Sequence, residues 1–250
     1  MGTVAADRNR RAAGRLGRLG RPVGVLLAVA LLAATTVLVN RVFPGWAYPL
    51  WNVFVALVLV ALAMRCGLSA ASLGLRTDTA RRAALVGLLG AASVAVTYGA
   101  ALAVPSLRGV FDDQRAAVGL GTVVWAALVR IPLGTVLLEE VAFRGVLPAL
   151  LGGSDLDRRW RWRPVLGASA LFGLWHVVPS MALVGSNAAV DEVFGAASPI
   201  LVPTLAVLAA AAVGVALCAW RRAGQGLLAP ILVHLATNSG GVLLAWWLQR

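Results

Sequence analysis

Apolar positions fall into seven runs, bounded by arginines, prolines and short polar clusters: Pro22–Val42, Pro49–Met64, Arg82–Val104, Ala116–Leu151, Pro164–Val184, Ile200–Trp220 and Gln225–Leu248. Most approach or exceed the ~20 residues that cross a ~30 Å hydrocarbon core. Alternation of period two, the mark of a membrane barrel, is not evident. Backbone groups in lipid must be satisfied within their own segment, so the pattern predicts an all-α, polytopic transmembrane helical bundle of seven to eight spans. Ala116–Leu151 is too long for one straight crossing. It is expected to kink at Pro132 or to divide, with room for an eighth span or a re-entrant piece.

Composition agrees with lipid as the solvent: 60% of the 250 residues are apolar and 13% charged, against roughly half and a quarter in soluble domains. The net charge of +12 is carried by 22 basic residues, all arginine. They lie mostly between the apolar runs, which points to anionic membrane lipids and not to nucleic acid as partner. With the N-terminus in the cytoplasm, sixteen arginines fall inside and four (Arg41, Arg108, Arg115, Arg250) outside, as the positive-inside rule requires. Residues 1–21 then read as a basic cytoplasmic tail leading into an uncleaved signal anchor, and 22–250 as one membrane-embedded domain. All-arginine usage hints at a bacterial plasma membrane. Cys66 and Cys218 show no spacing for a disulfide or a zinc finger.

Ionisable groups inside a membrane are costly and are kept where they pair or act. Within the runs they are Arg130, Glu139, Glu140, Arg144, His176 and His234, the last two being the only histidines. On a helix Glu140 and Arg144 share a face and form an ion pair. Glu139 points about 100° away and is left for chemistry. Arg130 is expected to snorkel, or to pair with an acid such as Glu139. Phe172 lies one turn before His176, and His234 shares a face with Asn238. Peptide hydrolysis needs a base for water and donors for the oxyanion. Glu139 with His176 suits the first task, and His234 with Asn238 the second.

Glu139-Glu140-x-x-x-Arg144, Phe172-x-x-x-His176 and His234-x-x-x-Asn238, in this order on separate apolar segments, resemble the CAAX prenyl protease and bacteriocin-processing family of intramembrane endopeptidases. The resemblance covers roughly 115–241. It implies an eight-helix core, catalytic Glu139, His176, His234 and Asn238, supporting Glu140, Arg144 and Phe172, and a membrane-associated peptide or protein substrate, prenylated CAAX proteins among the options. No cofactor is firmly indicated; zinc held by Glu139, His176 and His234 is the alternative to a metal-free glutamate mechanism, although the helical His-Glu-x-x-His pair is missing. A proton-coupled transporter is disfavoured by the lack of repeat symmetry. A non-enzymatic immunity or scaffold protein is the other competing reading. Asp155, Asp157 and the arginines that follow read as a solvated loop.

Overall fold

The structure is a computed structural model and describes residues 19–111, 116–181 and 195–250. Among these residues seven helices are long and apolar enough to cross a membrane. They are α1 (Arg21–Arg41), α2 (Ala47–Arg65), α3 (Ala80–Ala103), α4 (Leu120–Gly153), α5 (Trp162–Met181), α6 (Ser198–Gly224) and α7 (Leu228–Leu248). No strand occurs among the described residues. The expected ends are recovered to within a few residues, while the basic tail and the end of the fifth run at Val184 lie outside the described residues.

The fourth run is helical over Leu120–Gly153, 34 residues, and is interrupted only at Gly152 near its end. At ~1.5 Å per residue it would reach about 50 Å, well beyond a bilayer core. Its turns widen at Ala126–Val136 and Val141–Val146, so that the Leu137 N–H reaches back five residues to the Pro132 carbonyl and the Leu147 N–H to Ala142. Pro132 lacks an N–H and its ring crowds an ordinary α-turn. A wide turn absorbs it without breaking the rod. The rod ends at Gly152, whose φ of 99° only glycine adopts readily.

Helix α4 is the axis of the bundle. It packs against α2 on one side and α7 on another, and its far end meets α1 and α5. Every residue from Leu138 to Leu150 is buried, the signature of a helix surrounded by protein. Helix α3, covered by α7 and α6, turns Leu85, Leu88 and Leu89 outward. Close approach of α2 is set at Gly134, where a Cβ would enter the Tyr48 ring. Asn52 Nδ2 donates to the Gly134 carbonyl, and the Tyr48 and Thr135 hydroxyls meet at 3.1 Å. Helix α7 is latched by Tyr98 Oη donating to the Thr237 carbonyl (2.7 Å) and Ser239 Oγ to the Ala127 carbonyl (2.9 Å).

The arginine-rich connections gather at one end. Leu227 N–H donates to the Gly74 carbonyl and Arg82 Nε to the Ala223 carbonyl, joining the α2–α3 and α6–α7 connections. Arg221 joins the third. It is fully buried, with Nε 3.0 Å from Asp157 Oδ1 and its two amino groups donating to the Arg144 and Ser72 carbonyls. Asp157 is accordingly no solvated loop residue; it is buried beside Arg221, because a guanidinium out of water needs a counter-charge.

Candidate active site

Glu139 and Glu140 stand on the ordinary α-turn between the two wide stretches of α4, and both are buried. Glu140 lies 3.2 Å from Arg144 Nη1, the ion pair expected from their spacing. None of the Arg144 nitrogens has an aligned acceptor; its charge is balanced by Glu140 and by the Phe172 ring, whose centroid lies 3.9 Å from the guanidinium carbon.

His234 enters from α7 between the two carboxylates. Its Nδ1 is 2.7 Å from Glu140 Oε1, and its Nε2 is 3.7 Å from Glu139 Oε2. With Glu140 ionised, Nδ1 carries the proton it donates, and Nε2 is the ring nitrogen turned to Glu139. Adjacent glutamates, about 100° apart on a helix, thus serve one imidazole, because its two nitrogens face opposite ways.

Glu139 Oε1 accepts a hydrogen bond from Trp175 Nε1 (3.0 Å), whereas Oε2 has no hydrogen-bond partner although it is buried. The 3.7 Å to His234 is too long for a direct bond. A water bonded to both atoms would sit beside that line, at the apex of a triangle.

His176 ends the first segment of α5 at a local break between Trp175 and Val177. Its Nδ1 is 2.8 Å from the Phe172 carbonyl, to which it donates, and its ring packs edge-on against Phe172 at 4.5 Å. Phe172 also meets His234 at 6.3 Å and Phe143 at 5.2 Å. The structure therefore brings Glu139, Glu140, Arg144, Phe172 and His234 into one contact network. His176 joins it through Phe172, not through Glu139. Asn238 sits half-buried one turn beyond His234 on α7. Arg130 lies over the Tyr48 ring at 4.9 Å, and no ion pair with Glu139 forms.

Zinc held by Glu139, His176 and His234 was the alternative ligand set. Among the described residues no three His, Cys, Asp or Glu side chains are grouped to hold a metal ion. Glu139 and His234 provide two donors, and Nδ1 of the imidazole is already engaged by Glu140. Cys66 and Cys218 are free and buried.

Trp175 and Asn52 were not anticipated. Both carried a signal in being polar-tipped residues placed mid-span, where an indole N–H or an amide must find a partner.

The family model for type II CAAX prenyl endopeptidases, Rce1-like, matches residues 121–240. That segment, 120 of the 250 residues, is similar to the Rce1-like family. It contains α4 through most of α7, and with them every residue of the contact network just described. The Rce1-like family is one of intramembrane CAAX-type endopeptidases acting on membrane-associated protein substrates. Together with seven apolar helices, the Rce1-like match makes this an integral membrane protein. No curated protein and no solved structure matched the chain.

Proposed function

We propose that the protein hydrolyses a peptide bond of a membrane-associated substrate, with Glu139 as the base that deprotonates the attacking water. The observation that carries this reading is Glu139 Oε2: a buried carboxylate oxygen without a hydrogen-bond partner, 3.7 Å from one nitrogen of an imidazole whose other nitrogen lies 2.7 Å from a second glutamate. Trp175 holds the other oxygen and so aims the carboxylate. His234 Nε2 is the second support for the water. Proton transfer from water to Glu139 makes the nucleophile, and the same carboxyl then delivers the proton to the leaving amine. The Asn238 amide, one turn along the same helix face, is the donor offered to the oxyanion. His176, whose Nδ1 serves the Phe172 carbonyl, has Nε2 to offer the substrate. No step requires a metal.

A groove of about 300 Å³ between α1, α4 and α5 is lined by Val29, Leu32, Phe143, Leu171 and Leu174, with Trp175 in its wall. Its apolar walls suit a lipid-modified or strongly apolar segment beside the scissile bond. Since Glu140 is five residues from Gly145, which packs on the Leu73 carbonyl, and His234 is seven from Leu227, the chemistry lies roughly 8–10 Å inside the arginine-rich end.

The test compares purified wild type with Glu139→Ala on fluorogenic farnesylated CAAX and unmodified membrane peptides, with and without chelator. Wild-type cleavage insensitive to chelation and reduced at least about 10²-fold in the variant is expected. Equal activity in both proteins would sink the role of Glu139, and loss on chelation restored by zinc would replace the metal-free mechanism.

A further inference from the structure

The arginine-rich end carries an open cavity of about 820 Å³, separate from the glutamates and lined by Arg82 of α3, Asp157, Arg158, Trp160 and Trp162 of the α4–α5 connection and its edge, and Arg222 at the end of α6. Among the described residues, three arginines and one carboxylate line it. Three acidic residues are described at this end, and each is already matched: Asp78 with Arg76, Asp155 with Arg161 (2.8 Å) and Asp157 with Arg221 (3.0 Å). The hydrogen bonds from Arg76 and Arg161 hold Asp78 and Asp155 below the usual carboxylate range, so both pairs stay ionised at neutral pH. That leaves Arg82, Arg158 and Arg222 facing a cavity whose one carboxylate, Asp157, is engaged by Arg221 from behind. Arg82 uses Nε on the Ala223 carbonyl, which fixes the guanidinium and leaves its other donors for a ligand.

We propose that this cavity binds the phosphodiester headgroup of an anionic phospholipid. Three guanidinium groups supply the forked donors that phosphate oxygens accept. The surroundings favour a lipid over free phosphate. Trp160 and Trp162 pack edge to face at 5.3 Å and stand where interfacial aromatics sit. Directly beyond the cavity, Leu85 lies one turn after Arg82 and Leu166 one turn after Trp162, and both are exposed; they give acyl chains an apolar path away from the arginines. Basic pockets between membrane helices at the positive side are a recurring form of headgroup recognition.

The experiment is native mass spectrometry of the full chain purified from mixed phosphatidylglycerol and phosphatidylcholine vesicles, counting retained phosphatidylglycerol. Wild type and a control carrying Arg81→Gln, Arg159→Gln and Arg163→Gln, three exposed arginines that do not line the cavity, should retain one more phosphatidylglycerol than a variant carrying Arg82→Gln, Arg158→Gln and Arg222→Gln. Arg158→Gln alone changes a side chain with no protein partner among the described residues; it should weaken retention about fivefold, the share of one surface arginine, with an unchanged melting temperature. Equal retention in all four proteins, or equal loss in the control and the cavity variant, would overturn the site. Displacement of the retained lipid by millimolar inorganic phosphate would overturn the lipid assignment in favour of a free anion.

Discussion

Arg144 has no exposed surface, and its charge is answered by one carboxylate and one aromatic face. Removing one member of such a buried pair strands the other, at a cost of about 3–5 kcal/mol. Arg144→Met should therefore lower stability by that amount, read as a drop in melting temperature in detergent, and Glu140→Gln added to it should restore most of the loss. An additive double variant would show that the two charges are not coupled. The i, i+4 spacing made this pair legible from the sequence, as it did the shared face of Phe172 and His176. The approach of His234 to both glutamates was not legible, because it joins helices 94 residues apart and no local spacing encodes which spans touch. Asp157 was misread for the same reason: its partner Arg221 is 64 residues away.

Seven apolar runs gave seven helices because burial in lipid demands continuous apolar length, and their ends were set by arginines and prolines visible in the sequence. What the pattern left open was how α4 would carry Pro132, since a kink and a widened turn satisfy the same sequence. The α6–α7 connection shows a finer choice. Gln225 takes a left-handed conformation (φ 58°, ψ 33°) while the Gly226 N–H returns to the Arg221 carbonyl and the Gln225 N–H to that of Arg222, the double closure in which glycine is the usual residue. A side chain there is strained by roughly 1 kcal/mol. Gln225→Gly should raise the melting temperature by an amount corresponding to about 1 kcal/mol; a lower value would mean that the glutamine side chain contributes more than its backbone costs.

At the scale of the whole molecule, the connections bearing Arg76, Arg82, Arg158, Arg159, Arg163 and Arg222 are joined at one end, so the bundle has a strongly basic pole. On the positive-inside rule that pole is expected to face the cytoplasm. Labelling of intact cells with a membrane-impermeant maleimide should reach a cysteine placed at Ser106, near the opposite pole, and reach one placed at Arg158 only after permeabilisation. The reverse pattern would invert the topology. The distribution of the network over α4, α5 and α7 has a consequence for biogenesis. The glutamates enter the membrane with α4, three spans before His234 arrives on α7. During that interval Glu139 has no imidazole opposite it and Glu140 has Arg144 as its sole counter-charge. On the proposed chemistry a nascent chain is inert until α7 has been inserted, and the order of the motifs acts as a safety catch on an enzyme made among the membrane proteins it could otherwise cut.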